Sequence, residues 1–313
     1  MSNAVVQQPP TRRNALRPVR VCLLGSVQAG KTTFLGGLGI LREPNRHTPF
    51  RVTPLDEQSD SYLKDKAGQL RAGQWPGPST ITELIRLHII LDHTVMEVMV
   101  LDYPGGNFTE ALAALRESEA QTLRQFVHEA EVVLLLLDPA LDLGVDGQSE
   151  VMARQEAFIT TLAHLQIAYQ QGQHAGPHHP IWLAMVVTKC DRYPQLAGRG
   201  AVRRLVDEYG GPFRNKLAEY STKIAYFAVS AVGATRPNPA DPDHPLPASQ
   251  LTPTGYEELF RWIIRKRLWD RIRPWVKRGA ALACIGAICG GVVGSVSKVE
   301  MAMFTPPVQR HSG

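Results

Sequence analysis

The chain is short of what would make it a secreted, disulfide-held or zinc-bound protein. Its four cysteines, Cys22, Cys190, Cys284 and Cys289, fall at no paired ligand spacing. That excludes a disulfide framework and a zinc ribbon, and fits a reducing compartment. The N-terminal stretch 1–18 is polar and carries arginines, but it lacks the apolar core of a signal peptide and reads as a flexible arm. No stripe interleaves aromatic with basic residues, so the mild net charge of +5 argues against nucleic acid as a partner. Much of the positive excess lies near the ends, in Arg12, Arg13, Arg17 and Arg20 and between Arg261 and Arg278, where membrane headgroups are the better-matched anion. There is no internal repeat.

What is present suits one large α/β domain with appendages: 313 residues, 44% of them hydrophobic. Apolar runs at 19–24, 82–91, 95–101, 132–137, 181–187 and 224–229 alternate with helical patterns. Such alternation predicts a mostly parallel, six-stranded sheet with helices on both faces. Only Asp92-His93-Thr94 separates the second and third runs, so these two pair antiparallel and one strand opposes the rest. Helices are expected at 110–128, 150–169, 202–222 with a break near Gly210-Gly211-Pro212, and 255–269. Thr254 and Glu257 match a capping box for the last. The loop 172–180 holds His174, His178 and His179, but no carboxylate or cysteine at ligand spacing, and reads as solvated rather than metal-binding. The proline-rich stretch 233–253 reads as an extended, mobile connection.

The strongest local signal is Gly25-Ser26-Val27-Gln28-Ala29-Gly30-Lys31-Thr32, a G-x-x-x-x-G-K-[ST] loop that follows the first apolar run. Loops of this kind turn backbone N–H groups, here through Gln28, Ala29, Gly30 and on to Thr33, around phosphates that a Cβ at Gly25 or Gly30 would obstruct. Lys31 is expected to reach the β- and γ-phosphates, and the Thr32 hydroxyl to ligate Mg²⁺. The helix that opens after the loop adds its N-terminal dipole.

Later motifs select the nucleotide. Asp102-Tyr103-Pro104-Gly105 matches D-x-x-G at the end of the third run, with Asp102 placed to hold Mg²⁺ and the Gly105 N–H to approach the γ-phosphate. Asp138, at the end of the fourth run, competes as the magnesium aspartate of an ATPase or kinase; Asp102 is preferred because Thr188-Lys189-Cys190-Asp191 and Ser230-Ala231 end the next two strands. Together these motifs resemble the ordered set of Ras-like P-loop GTPases of the translation-factor-related class. The resemblance covers about 19–268, and the fold it implies is Ras-like. It further implies GTP and GDP as ligands with Mg²⁺. Asp191 would accept from guanine N1–H and N2–H₂, Lys189 would pack on the base, and Ser230-Ala231 would offer a backbone N–H to guanine O6. Thr188 stands where asparagine is commoner, a choice that serves loop packing more than base readout.

Two departures matter. The segment 41–80 is much longer than in a minimal Ras-like domain, and the family expects within it a threonine that closes on Mg²⁺ and the γ-phosphate. Thr80, in Trp75-Pro76-Gly77-Pro78-Ser79-Thr80, is the choice, with Thr82, Thr53 and Thr48 as alternatives. Lys31, Thr80 and Gly105 are then the groups at the γ-phosphate. Gly106 follows D-x-x-G where many Ras-like proteins carry a water-orienting glutamine. A glycine cannot orient water, so hydrolysis is expected to be slow and to need a partner protein, a second protomer or Asn107. The long segment and the W-P-x-x-x-T sequence are similar to bacterial GTPases of the double-GTPase type.

The stretch 279–296 is uncharged and glycine-rich, with Gly286, Gly290 and Gly294 at the spacing of closely packed membrane helices. At ~1.5 Å per residue it just spans a ~30 Å core. By the positive-inside tendency the basic residues before it would put the nucleotide domain, 19–278, on the cytoplasmic side, with the helix as its membrane tether ahead of a short tail at 297–313. The competing reading is an apolar helix packed on the domain or on a second copy. The expectation is a guanine-nucleotide switch acting near a membrane through an effector or activator. A GTP-binding scaffold without hydrolysis is the first rival. The second is the Asp138 ATPase or kinase, whose lid would have to come from Arg199, Arg203 and Arg204.

Overall fold

The computed structural model describes residues 18–42, 50–77, 79, 83–92, 94–102, 126, 130–145, 150–172, 182–198, 200–219, 221, 224–241 and 244–269. The elements begin with β1 (Val19–Gly25), α1 (Lys31–Leu41), β2 (Phe50–Pro54), α2 (Glu57–Arg71), β3 (Glu83–Leu91), β4 (Thr94–Asp102) and β5 (Val132–Leu137). They continue with α3 (Pro139–Leu143), α4 (Val151–Gly172), β6 (Trp182–Val187), α5 (Ala201–Tyr209), α6 (Gly211–Leu217), β7 (Ile224–Ala228), the two-residue strands β8 (Thr235–Arg236) and β9 (Leu246–Pro247), and a helix α7 over 256–269. Residues 1–264 form one compact unit and 265–313 a second, of which only 265–269 are described.

Successive side chains of a strand point to opposite faces, and β1 uses both. Val19, Val21 and Leu23 enter a core shared with Phe34, Leu35 and Leu38 of α1, Leu63 of α2 and Tyr256, Leu259, Phe260 and Ile263 of α7. Cys22 and Leu24 enter the opposite core, closed by Phe158 of α4, Val202, Leu205 and Val206 of α5 and Phe213 of α6. Burial on both faces is why β1, β5 and β6 read as continuous apolar runs rather than as alternating ones.

The sheet has seven strands in the order β2-β3-β4-β1-β5-β6-β7, one more than the expected six. β3 runs antiparallel to both β2 and β4, and all other neighbours pair parallel. The added strand is β2, inside the long segment 41–80, and it pairs with β3 from Phe50↔Leu91 to Pro54↔Leu87. Five residues with two exposed positions and a terminal proline give too little periodicity to mark an edge strand. The expected antiparallel pair on either side of Asp92 is present as β3 and β4.

The long segment also holds helix α2, docked on α1. Glycine in a helix costs ~1 kcal/mol relative to alanine, yet α1 carries Gly36, Gly37 and Gly39. A Cβ on Gly39 would lie 2.4 Å from the Leu63 carbonyl oxygen, and one on Gly36 would lie 2.9 Å from Leu70 Cδ1. On Gly37 it would meet the Tyr256 hydroxyl at 2.2 Å. The glycines let α2 and α7 approach the α1 backbone. Asp56 caps α2 by accepting from the Ser59 N–H at 2.8 Å, and the Ser59 hydroxyl accepts from the Arg86 N–H of β3 at 2.9 Å.

Two local expectations are corrected. Thr254 does not cap α7: it exchanges backbone hydrogen bonds with Ser230 at 2.9 and 3.2 Å, and Glu257 pairs with Arg261. Gly255 intervenes with φ +84°, where a Cβ would fall 1.9 Å from the Ala228 carbonyl oxygen. The proline-rich stretch is held rather than free. β8 and β9 pair, and the Trp75 indole N–H donates to the Pro245 carbonyl at 2.8 Å. The break at Gly210 between α5 and α6 falls where expected. Of the expected helix at 110–128, only Phe126 is described, and it is helical. Among the described residues no helix is long and apolar enough to cross a membrane; the stretch 279–296 lies outside them, as do His174, His178 and His179.

The α1–α2 contact makes a signed prediction. Propensity alone says that Gly39→Ala stabilises α1, whereas the Leu63 carbonyl leaves no room for the methyl group. We expect a loss of about 1–3 kcal/mol, the usual cost of overpacking, read as a lower midpoint in denaturant unfolding. A stabilised variant would mean that α2 is not packed as described.

Candidate functional site

Apart from the alternative switch residue Thr53, every expected site residue that is described lies at the edge where β1, β4, β5 and β6 end and β7 gives way to Ser230. The loop after β1 is set by two residues in the left-handed region, Gln28 at φ 67° and Gly30 at φ 89°. At Gly30 it is this φ, not lack of space, that requires glycine, because the nearest atom to a Cβ would be 3.9 Å away. At Gly25 the reason is packing: a Cβ would lie 3.1 Å from Ala29 Cβ and 3.2 Å from the Leu136 carbonyl oxygen. No side chain caps α1 and its first turn holds no acidic residue, which leaves its leading N–H groups for an anionic ligand.

Lys31 is buried and donates to the carbonyl oxygens of Gly25 and Ser26 at 2.6 and 3.1 Å. Burial lowers its ammonium to about 8, while the charges of Asp102 and Asp142 act in the opposite direction. Thr32 Oγ1 is 2.9 Å from Ser79 Oγ and donates to Asp102 Oδ2 at 3.4 Å. Ser79 Oγ donates to the same oxygen at 2.5 Å, and the Tyr62 hydroxyl donates there as well. Burial and the Asp102 charge hold the Tyr62 phenol well above its ordinary value, so it remains a donor at neutral pH.

The other oxygen of this fully buried carboxylate, Asp102 Oδ1, has no hydrogen-bond partner. An unpaired buried acceptor costs ~1–3 kcal/mol and more when charged. A hydrated divalent cation next to Thr32 would supply what Oδ1 lacks, so the residues fit Mg²⁺, with Thr32 and Asp102 placed to hold it.

A second cluster is joined to the first through Thr188. Its hydroxyl is placed to donate to the carbonyl oxygens of Ala29, at 2.9 Å, and of Leu137, at 3.2 Å. This residue ties the end of β6 to the phosphate loop. Lys189 takes φ 54° and its ammonium pairs with Asp138. The Ser230 hydroxyl donates to Asp191 Oδ1 at 2.5 Å and accepts from the N–H groups of Val232 and Gly233. Asp191 is thereby oriented at the mouth of the strand edge, with Ala231 beside it.

Asp138 is fully engaged elsewhere. One oxygen caps α3 by accepting from the Ala140 N–H at 2.9 Å and the other faces Lys189. It makes no contact with Thr32, which removes the geometric basis of the ATPase or kinase alternative. Arg203 pairs with Asp207 along an exposed helix face, and Arg199 is outside the described residues. So are Thr80, Thr82 and Thr48, together with Gly105, Gly106 and Asn107. Thr53 is exposed on the edge strand β2. Three residues escaped sequence reasoning. Ser79 adjoins the expected Thr80, Tyr62 belongs to no motif, and Asp142 follows Asp138 by one helical turn. Asp142 is fully buried and accepts from Ser26 Oγ and the Asp138 N–H, each at 2.8 Å.

Three comparisons bear on this site. The model of the Double-GTPase 2 family matches residues 19–236. No curated protein matches the chain. Solved structures similar to it include the signal recognition particle receptor SRb-GTP/SRX complex of Chaetomium thermophilum, at 18% identity and TM-score 0.41 over 78% of this chain and 96% of that one. Another is the S. cerevisiae Ski7 GTPase-like domain bound to GTP, at 14% identity and TM-score 0.44 over 81% of this chain and 51% of that one.

Asp142 generates a pH prediction. Burial raises its carboxyl from 3.8 to about 6 against the pull of the Asp138 N–H and Ser26. Between those values the folded protein binds the proton more tightly than the unfolded chain, so this group's contribution to stability falls as pH rises through the window. Asp142→Asn removes that loss. Its stability relative to wild type should be more favourable at pH 7.5 than at pH 5, by about 1.4 kcal/mol, in paired thermal or denaturant unfolding. A difference independent of pH would refute the assignment.

Proposed function

We propose that this chain, which belongs to the Double-GTPase 2 family, acts as a guanine-nucleotide switch that binds GTP and GDP with Mg²⁺ and hydrolyses GTP slowly. That it is a GTP-binding P-loop GTPase follows from the family. The observation that carries the finer reading is the Thr188 hydroxyl on the Ala29 carbonyl, which holds the phosphate loop and the T-K-x-D turn at one strand edge. A nucleotide laid along that edge meets Lys31 and the α1 N–H groups with its phosphates and Asp191 with its base.

Each chain group then has a defined task. Lys31, whose burial makes its charge costly, is repaid by phosphate oxygens. Asp191 accepts from the N1–H and N2–H₂ of guanine, whereas adenine presents an unprotonated ring nitrogen and would leave the carboxylate unpaired. The Lys189 stem lies along the base while its ammonium stays on Asp138. Thr32 and Asp102 would hold Mg²⁺, which would supply positive charge to the phosphates. Slow hydrolysis and dependence on an activating protein or second protomer are inferred from Gly106, which has no side chain to orient water. Action near a membrane rests on the uncharged stretch 279–296 and the basic residues before it.

The test is binding of fluorescent GDP, GTP and ATP to the full chain with Mg²⁺, with phosphate release followed over hours. We expect guanine-selective binding and slow release. Asp191→Asn should weaken GDP and GTP by about 10–100-fold, the value of ~1.5–3 kcal/mol for hydrogen bonds to a charged group. Tighter binding of ATP, or an unaffected Asp191→Asn variant, would overturn the reading.

A further inference from the structure

We propose that Tyr62, from the helix inserted between β2 and β3, is a positioning residue for the magnesium carboxylate Asp102; the proposal rests on the reading of this site as a Mg²⁺–nucleotide site. Three hydroxyl groups converge on Asp102 Oδ2, those of Thr32, Ser79 and Tyr62. None reaches Oδ1. With its donors gathered on one oxygen, the carboxylate cannot turn without losing them, and the turn is fixed with Oδ1 left for the cation. Thr32 is itself expected on the metal. Ser79 sits on the segment after α2, 2.9 Å from Thr32 Oγ1 and next to the expected switch residue. Tyr62 alone of the three comes from α2, the helix inserted between β2 and β3.

That helix is fixed from three sides. Its N-terminus is capped by Asp56, Ser59 fastens it to β3, and Gly36 and Gly39 of α1 admit it to backbone contact. The Tyr62 ring packs against the core beneath α1 and carries the Lys66 ammonium 5.3 Å above its centre. A phenol delivered from so constrained a scaffold holds its acceptor in one orientation. Three of the odd features of this chain then serve one end: the length of the segment 41–80, the glycines of α1 and the placement of Tyr62.

Removing only the hydroxyl tests this. Tyr62→Phe in the full chain keeps the ring, and dissociation of N-methylanthraniloyl-GDP is followed as Mg²⁺ is titrated and again in EDTA. The expected result is a Mg²⁺ midpoint raised about tenfold, the lower end of what outer-sphere partners of a metal ligand contribute, with GDP affinity in EDTA matching wild type. In an Asp102→Asn background, Tyr62→Phe should then shift the midpoint no further, because the two act as a unit. Equal midpoints in two proteins that both bind GDP would sink the Tyr62 assignment alone. So would an equal loss of affinity with and without Mg²⁺, which marks a packing role. Failure of the wild-type chain to bind GDP would remove the nucleotide reading first.

Discussion

The register of β1 between two parallel neighbours is the constraint on which the site depends. Cys22 pairs with Leu101 on one side and Gly25 with Leu136 on the other, while Leu137 is matched to Val187 and Val187 to Ala228. Four chain segments therefore leave the sheet at one edge, bringing Asp102, the phosphate loop, Asp138 and Thr188 together, with Ser230 just beyond. Parallel pairing is what aligns carboxyl ends, and ligands of open α/β sheets lie outside those ends. A shift of one residue in any of these strands would also exchange the two cores, since Val21 and Cys22 face opposite sides. Core packing and site geometry are thus enforced by the same hydrogen bonds.

The motif residues were legible because each combines a chemical requirement with a place at a strand end. Gly30 takes a positive φ, Lys31 is buried against the loop, the Thr188 hydroxyl lies in a buried turn and Asp191 follows it at the strand end; the places of all four were readable from residue type and order. The parallel core was legible for a related reason: β5 and β6 are buried on both faces and so are apolar throughout. The preference for Asp102 over Asp138 was also available, since only a strand followed by D-x-x-G suited the later motifs, and Asp138 is occupied by α3 and Lys189.

What was not legible depends on partners distant in the chain. β2 is half exposed and stands as a strand only because β3 offers it an edge. Tyr62 has no local signature; it reaches Asp102 because α2 is laid across two glycines of α1, Gly36 and Gly39, a contact no periodicity announces. The match of Thr254 and Glu257 to a capping box failed for the same reason, as the Thr254 backbone is committed to Ser230 in another layer. Ser230 in turn holds Asp191, so this misread residue supports the orientation of Asp191. Local patterns report local hydrogen bonds, and here the long-range ones took precedence.

The ionisable groups at the edge form an incomplete charge set. Lys31, Asp102, Asp138 and Asp142 are all buried, and Lys189 and Asp138 neutralise each other. Burial lowers the Lys31 ammonium to about 8 and raises the Asp142 carboxyl to about 6, so both charges are held at a cost. Asp102 has in addition an oxygen without a donor. A cation at Asp102 and phosphate oxygens at Lys31, as proposed, would relieve two of these three burdens at once. Asp142 is not relieved, because its donors are Ser26 and the Asp138 N–H, and these stay in place whatever the edge holds. Its role is to fix the second residue of the phosphate loop from α3. The fold therefore gives up stability at this edge in two ways, keeping the loop in shape with the buried Asp142 and leaving Asp102 Oδ1 without a donor. Such a site gains stability with ligand concentration, as any species that binds only the folded chain must provide.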